Sequence, residues 1–151
     1  MLKKTLTILL ICVFVKSCGY SPMYSKKNDI NFNFKKINIK GDNDLKNLIK
    51  SYLKRYNNEN NENEIYLDIN VVYDKISQTK NISGETTDYL LVAKVEFKTT
   101  IDNNEQIIII KEDFVMKNIE REFDEKKYER TIKQNLAFSI VNKFILKISR
   151  K

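Results

Sequence analysis

Glu64-Ile65-Tyr66-Leu67-Asp68-Ile69-Asn70-Val71-Val72-Tyr73 is the stretch that decides the fold. Ile65, Leu67, Ile69, Val71 and Tyr73 recur at every second position. Successive side chains of a strand point to opposite faces, so this pattern describes a strand with one buried face. The alternation returns at Tyr89, Leu91, Ala93, Val95, Phe97 and Ile101, after a segment at Lys75–Asp88 that contains Gly84 and reads as a loop. Asp102-Asn103-Asn104-Glu105 reads as a hairpin turn into a third strand, Gln106 to Met116. Within it Ile107–Ile110 is apolar on both faces, which predicts a strand covered on both sides or protected at an edge.

Working outward, Ile30, Phe32 and Phe34 alternate with Asn31 and Asn33, and the apolar phase then moves to Ile37 and Ile39. The Lys35-Lys36 step either accommodates a bulge or ends the strand. Gly41 closes this element. Asp42, Asn43 and Asp44 are N-cap candidates for a helix whose apolar stripe is Leu45, Leu48, Ile49, Tyr52, Leu53 and Tyr56. Asn57 to Glu64 (NNENNENE) reads as a polar, mobile connector. At the other end, Tyr128, Ile132, Leu136, Ile140, Val141, Phe144 and Ile148 form the stripe of a helix from about Asp124 to Ser149. Asp124 and Glu125 lie in its first turn and Lys147 and Arg150 near its end, as the helix dipole favours. Phe138 falls off that stripe. The order β-α-β-β-β-α implies an α+β fold of two layers, two helices on one face of a four-stranded, mostly antiparallel sheet.

Composition narrows the chemistry. Among 151 residues there is no His and no Trp, and there are 3 Gly and 2 Cys. The commonest general base and metal ligand is therefore missing, and two Cys alone do not make a structural zinc site. No GxGxxG or Walker-type phosphate loop occurs. Acid pairs such as Glu112-Asp113 and Glu120/Glu122 read as solvated surface, Ser17 and Ser139 have no His base, and Asn81-Ile82-Ser83 is a chance glycosylation pattern in an Asn-rich chain. No enzyme activity, metal or cofactor is expected. The formal charge is +7, but it is carried by 23 Lys against 4 Arg, with acids interleaved. Lys, Ile and Asn make up 61 residues, the bias that low-GC codon usage produces. Arg is the residue that reads phosphate and guanine bidentately, so a mixed-charge surface is expected and a nucleic-acid partner is not.

The first 24 residues carry the strongest signal. Met1-Leu2-Lys3-Lys4 is a positive n-region, and Thr5 to Val15 (TLTILLICVFV) is an 11-residue run without charge. At 1.5 Å per residue it spans roughly half of a ~30 Å hydrocarbon core, which fits a signal peptide better than a transmembrane helix. Val15-Lys16-Ser17-Cys18-Gly19 follows and resembles the bacterial lipobox, with Lys16 standing where a small or uncharged residue is usual. The bland readings are an apolar N-terminal helix with an incidental Cys, or an uncleaved anchor. The lipobox resemblance implies cleavage after Ser17 and acylation at Cys18. Residues 1–17 would then be the signal peptide, 18–29 a lipidated tether and 30–151 a single domain. Cleavage deletes Lys3, Lys4 and Lys16 and no acid, so the net charge of seven falls to four.

Cys18-Gly19-Tyr20, a variable Ser21, then Pro22-Met23-Tyr24 resembles the start of mature LptE, the lipopolysaccharide-assembly lipoprotein family of the Gram-negative outer membrane. Pro22 is the single proline of the chain, and it biases Ser21 toward an extended conformation that suits a tether. The element order also matches the LptE fold. The resemblance implies an outer-membrane, palmitate-bearing lipoprotein that plugs an LptD-like barrel and helps lipopolysaccharide reach the outer leaflet. The alternative is a generic periplasm-facing lipoprotein serving an envelope transporter as an auxiliary subunit. For the anionic glycolipid the candidate contacts are Lys75 and Lys80 at the loop, and Lys94 and Lys98 on one face of a strand. Solvation of an outward face competes with that role, because Glu96 lies between the latter two.

Overall fold

The computed structural model describes residues 32–61, 64–101 and 104–150. The elements are β1 (Asn33–Gly41), α1 (Asn43–Leu53) with a 3-10 turn at Lys54–Tyr56, β2 (Glu64–Lys80), β3 (Thr86–Ile101), β4 (Asn104–Lys117) and α2 (Glu122–Ile148). The four strands form one sheet in the order β1-β2-β3-β4. β2, β3 and β4 are antiparallel neighbours, and β1 runs parallel to β2. The expected α+β architecture is present, with the parallel pair made possible by α1 as its crossover.

The junction from β1 to α1 follows from three residues. Gly41 has φ +112°, and a Cβ there would stand 1.8 Å from the Val71 carbonyl oxygen. Only glycine fits a backbone so close to the neighbouring strand. Asp42, freed from the ladder, caps α1 by accepting from the N–H groups of Asp44 (3.1 Å) and Leu45 (2.9 Å). Of the three cap candidates in the sequence, the structure selects this one.

The register slips between Phe34 and Lys36, so the bulge reading of Lys35-Lys36 holds and the strand continues. One extra residue flips the phase and lets Phe34 and then Ile37 and Ile39 face the same core. The polar connector does not behave as expected. The Asn33 amide donates to the carbonyls of Asn61 (2.9 Å) and Glu59 (3.3 Å), the Asn57 side chain accepts from the Phe34 N–H (2.7 Å), and Asn58 N–H donates to the Phe32 carbonyl (2.8 Å). Residues 57–61, read from sequence as part of a mobile connector, are held to the start of β1 by these hydrogen bonds.

Two further expectations are corrected. The loop expected at Lys75–Asp88 is strand up to Lys80 and again from Thr86, leaving a short turn. Its polar side chains bond across the hairpin, where the register is irregular: the Ser77 and Thr86 hydroxyls lie 2.8 Å apart, and those of Thr79 and Thr87 2.6 Å. Apolar alternation is absent because both faces of this hairpin end are in solvent. In β4, Ile110 is buried and Ile108 is partly buried on the core, but Ile107 and Ile109 are 63% and 49% exposed. The run is therefore covered on one side only.

Both helices pack on the same face. The core joins Leu45, Ile49 and Leu53 of α1 to alternate residues of β2 and β3 and to the α2 stripe. Phe97 of β3 and Phe144 of α2 stack with centroids 4.1 Å apart at its centre. Phe138 finds its reason here: its ring meets Tyr52 edge-on at 5.7 Å, across the seam between the helices. Tyr128, placed in the stripe, instead lies at its margin, 40% exposed, against Phe114.

Candidate functional site

The densest polar constellation among the described residues forms where the N-terminal half of α2 crosses β2. Glu125, Glu129 and Lys133 follow one another at i, i+4 and so share a helix face. Tyr73 and Lys75, two apart on β2, point at that face. The Tyr73 hydroxyl donates to Glu129 (2.8 Å), and Lys75 donates to Glu129 (3.0 Å) and to Glu125. Lys133 is only 8% exposed and lies 3.2 Å from Asp44 and 3.7 Å from Asp42. Its ammonium also sits 4.2 Å above the Tyr73 ring, and that of Lys75 4.4 Å above the Tyr89 ring.

Burial and the bond to Glu129 push the Tyr73 hydroxyl far above its ordinary range, so it stays protonated and donates. Burial by itself would raise Glu129, but the bonds from Tyr73 and Lys75 outweigh it and hold the carboxyl below its ordinary value. Burial alone would lower Lys75; the two glutamates reverse this and hold it above its ordinary value. Both lysines find their counter-charges within the cluster, two ammonium groups against four carboxylates. The arrangement ties strand to helix and offers no open nucleophile or base.

The lysines read as candidate ligand contacts do not come together. Lys75 is absorbed by the cluster, with its side chain 26% exposed. Lys80 ends β2 at the solvent-exposed hairpin tip, opposite Thr86. Lys94 and Lys98 lie on the sheet face away from the helices, and Lys98 pairs with Glu96 at 3.6 Å. Cys18, with the signal peptide and the tether, lies outside the described residues. Tyr73, Glu129 and Lys133 were not singled out from sequence, although the Glu-x3-Glu-x3-Lys spacing was there to be read. Among the described residues no group of three or more His, Cys, Asp or Glu is placed to hold a metal ion, and no helix is long and apolar enough to cross a membrane.

No protein-family profile and no curated protein sequence matches the chain. Solved structures do match in fold. The crystal structure of rare lipoprotein B from Shewanella oneidensis aligns with TM-score 0.55 and 12% identity, over 76% of this chain and 94% of that one. The solution structure of an uncharacterized lipoprotein B from Nitrosomonas europaea aligns with TM-score 0.53 and 16% identity, over 79% and 84%. A lipoprotein crystal structure from Caulobacter crescentus aligns with TM-score 0.50 and 8% identity, over 76% and 86%. Over about three quarters of its length, this chain is similar in fold to bacterial lipoproteins of the lipoprotein B type.

Proposed function

We propose that the chain is an outer-membrane lipoprotein of the LptE kind, anchored through Cys18, that acts as plug and assembly partner of an LptD-like barrel in lipopolysaccharide transport. The role is scaffolding and binding, not catalysis. The observation that carries the reading is the fold held in common with rare lipoprotein B over 94% of that chain. It stands beside the Cys18-Gly19-Tyr20-Ser21-Pro22-Met23-Tyr24 motif, which is independent of the fold. A surface of interleaved Lys, Asn and Glu suits a barrel lumen, because such lumens are polar. Two or three acyl chains, each contributing about 0.8 kcal/mol per buried CH2, would hold the protein on the membrane.

Affinity purification from membranes in mild detergent tests the partner. An outer-membrane barrel should co-purify in stoichiometric amount. Recovery of an inner-membrane permease or ATPase in its place would move the protein to the auxiliary-subunit reading.

A further inference from the structure

β4 is the last strand of the sheet, and among the described residues only β3 pairs with it. Such a strand directs alternate backbone N–H and C=O groups outward, a template for one more strand. Edges are commonly blunted by proline, a bulge or charged side chains; here the charges, Lys111 and the Glu112–Lys143 pair, follow the apolar Ile107–Ile110 run and leave it uninterrupted. β4 contains no proline, and its ladder runs from Asp88–Lys117 to Ile101–Asn104 without a register shift. Beside this edge a groove of about 400 Å³ separates β4 from the last turns of α2. Ile109 and Leu146 supply apolar lining, and Lys111, Lys143, Lys147 and Arg150 supply positive charge. Lys143 is matched by Glu112. Lys111, Lys147 and Arg150 make no salt bridge among the described residues.

We infer that the β4 edge receives an extended segment of another protein in which apolar and acidic side chains alternate. Backbone pairing extends the sheet to a fifth strand. On the helix side the acidic side chains meet Lys147 and Arg150, and on the other side apolar ones continue the Ile107 and Ile109 surface. Charge selects this occupant over two others. Residues 18–31 of this chain carry Lys26 and Lys27 against Asp29 alone, which the cations repel. A second copy would set Lys111 and its counterpart on one seam. The inference goes beyond the barrel-plug reading and does not depend on it.

The test uses the full chain in mild detergent and three labelled nine-residue peptides: alternating Val and Glu, alternating Val and Lys, and the Val-Glu peptide N-methylated at every second residue. Fluorescence anisotropy measures affinity, and hydrogen exchange locates the contact. The Val-Glu peptide should bind at least tenfold tighter than the other two and slow exchange within residues 105–113. Lys147→Glu with Arg150→Glu should weaken it at least tenfold, while exchange in β2 and β3 stays unchanged. If that variant unfolds, the three peptides still decide. Equal affinity for both charges, indifference to methylation, or protection elsewhere overturns the inference. So does protection of β4 before any peptide is added, which would mean that the chain itself covers the edge. Protection of the groove by phosphatidylglycerol vesicles without peptide binding would assign it to lipid headgroups, and overturns the inference as well.

Discussion

Gly41 and Gly84 both have positive φ, yet they carry different weight. At Gly84 an added Cβ meets nothing within 4 Å, so Gly84→Ala carries only the left-handed backbone penalty of about 1 kcal/mol. At Gly41 the same penalty is joined by a collision with the Val71 carbonyl, which is backbone and cannot rotate away. Gly41→Ala should therefore cost about 3 kcal/mol, the upper end for a strained backbone position. Urea denaturation of the two variants checks the difference; equal midpoints would show that the close approach of β1 to β2 is not a constraint. The single-residue features also mark how far local sequence reading reached. Gly41 as the end of β1 was legible, and the cap and the Lys35-Lys36 step were narrowed to three residues and two outcomes, because each expresses a backbone requirement of its own neighbourhood; the structure chose Asp42 and the bulge. The exposed Ile107 and Ile109 were misread, because whether the second face of a strand is covered depends on where remote elements pack, and both helices lie on the other face.

At the scale of elements, α2 is joined to the sheet by two different kinds of contact. Phe144 stacks on Phe97 with no exposure at either ring, so Phe144→Ala leaves a cavity that its rigid neighbours fill poorly. A loss of about 3–5 kcal/mol is expected in chemical denaturation. The second contact is the Tyr73, Lys75 and Glu129 cluster, which makes the α2–β2 junction sensitive to acid. Folding lowers the Glu129 carboxyl below its ordinary value of 4.5, so the folded state binds this proton less well than the unfolded chain. The stability it contributes is present above pH 4.5 and drains away as pH falls through the lowered folded value. Glu129→Gln should destabilise the protein at neutral pH and flatten its decline in stability below pH 4.5. Thermal melts from pH 3 to 7 measure this; an unchanged acid limb in the variant would remove Glu129 as its cause.

For the whole molecule, the proposed function rests on an anchor at one end and a folded domain behind it. The 1–17 segment accounts for three of the seven excess positive charges, so what remains on the domain is a mixed surface with local concentrations. One of these is the group of Lys111, Lys147 and Arg150 at the sheet edge, which make no salt bridge among the described residues. Cys18→Ser should abolish incorporation of labelled palmitate and release the chain from sedimented membranes, while the circular dichroism of the domain stays unchanged. Palmitate incorporated by that variant would place the anchor elsewhere.

Alternation in Ile65–Tyr73 and Tyr89–Phe97, and the stripe from Ile132 to Ile148, determined which faces are buried, since burial per residue follows the period of the local backbone. The element order, the two-layer class and the Cys18 motif were likewise present in the sequence alone. Only the tertiary structure decided the parallel direction of β1, the extension of β2 and β3 into the polar hairpin, and the pairing of Lys75 and Lys133 with acids far along the chain. Backbone hydrogen bonds look alike whichever strand supplies them, and a lysine's partner depends on which distant segment arrives beside it. Neither is written in the spacing of neighbouring residues, and both are settled when the two helices close over one face of the sheet.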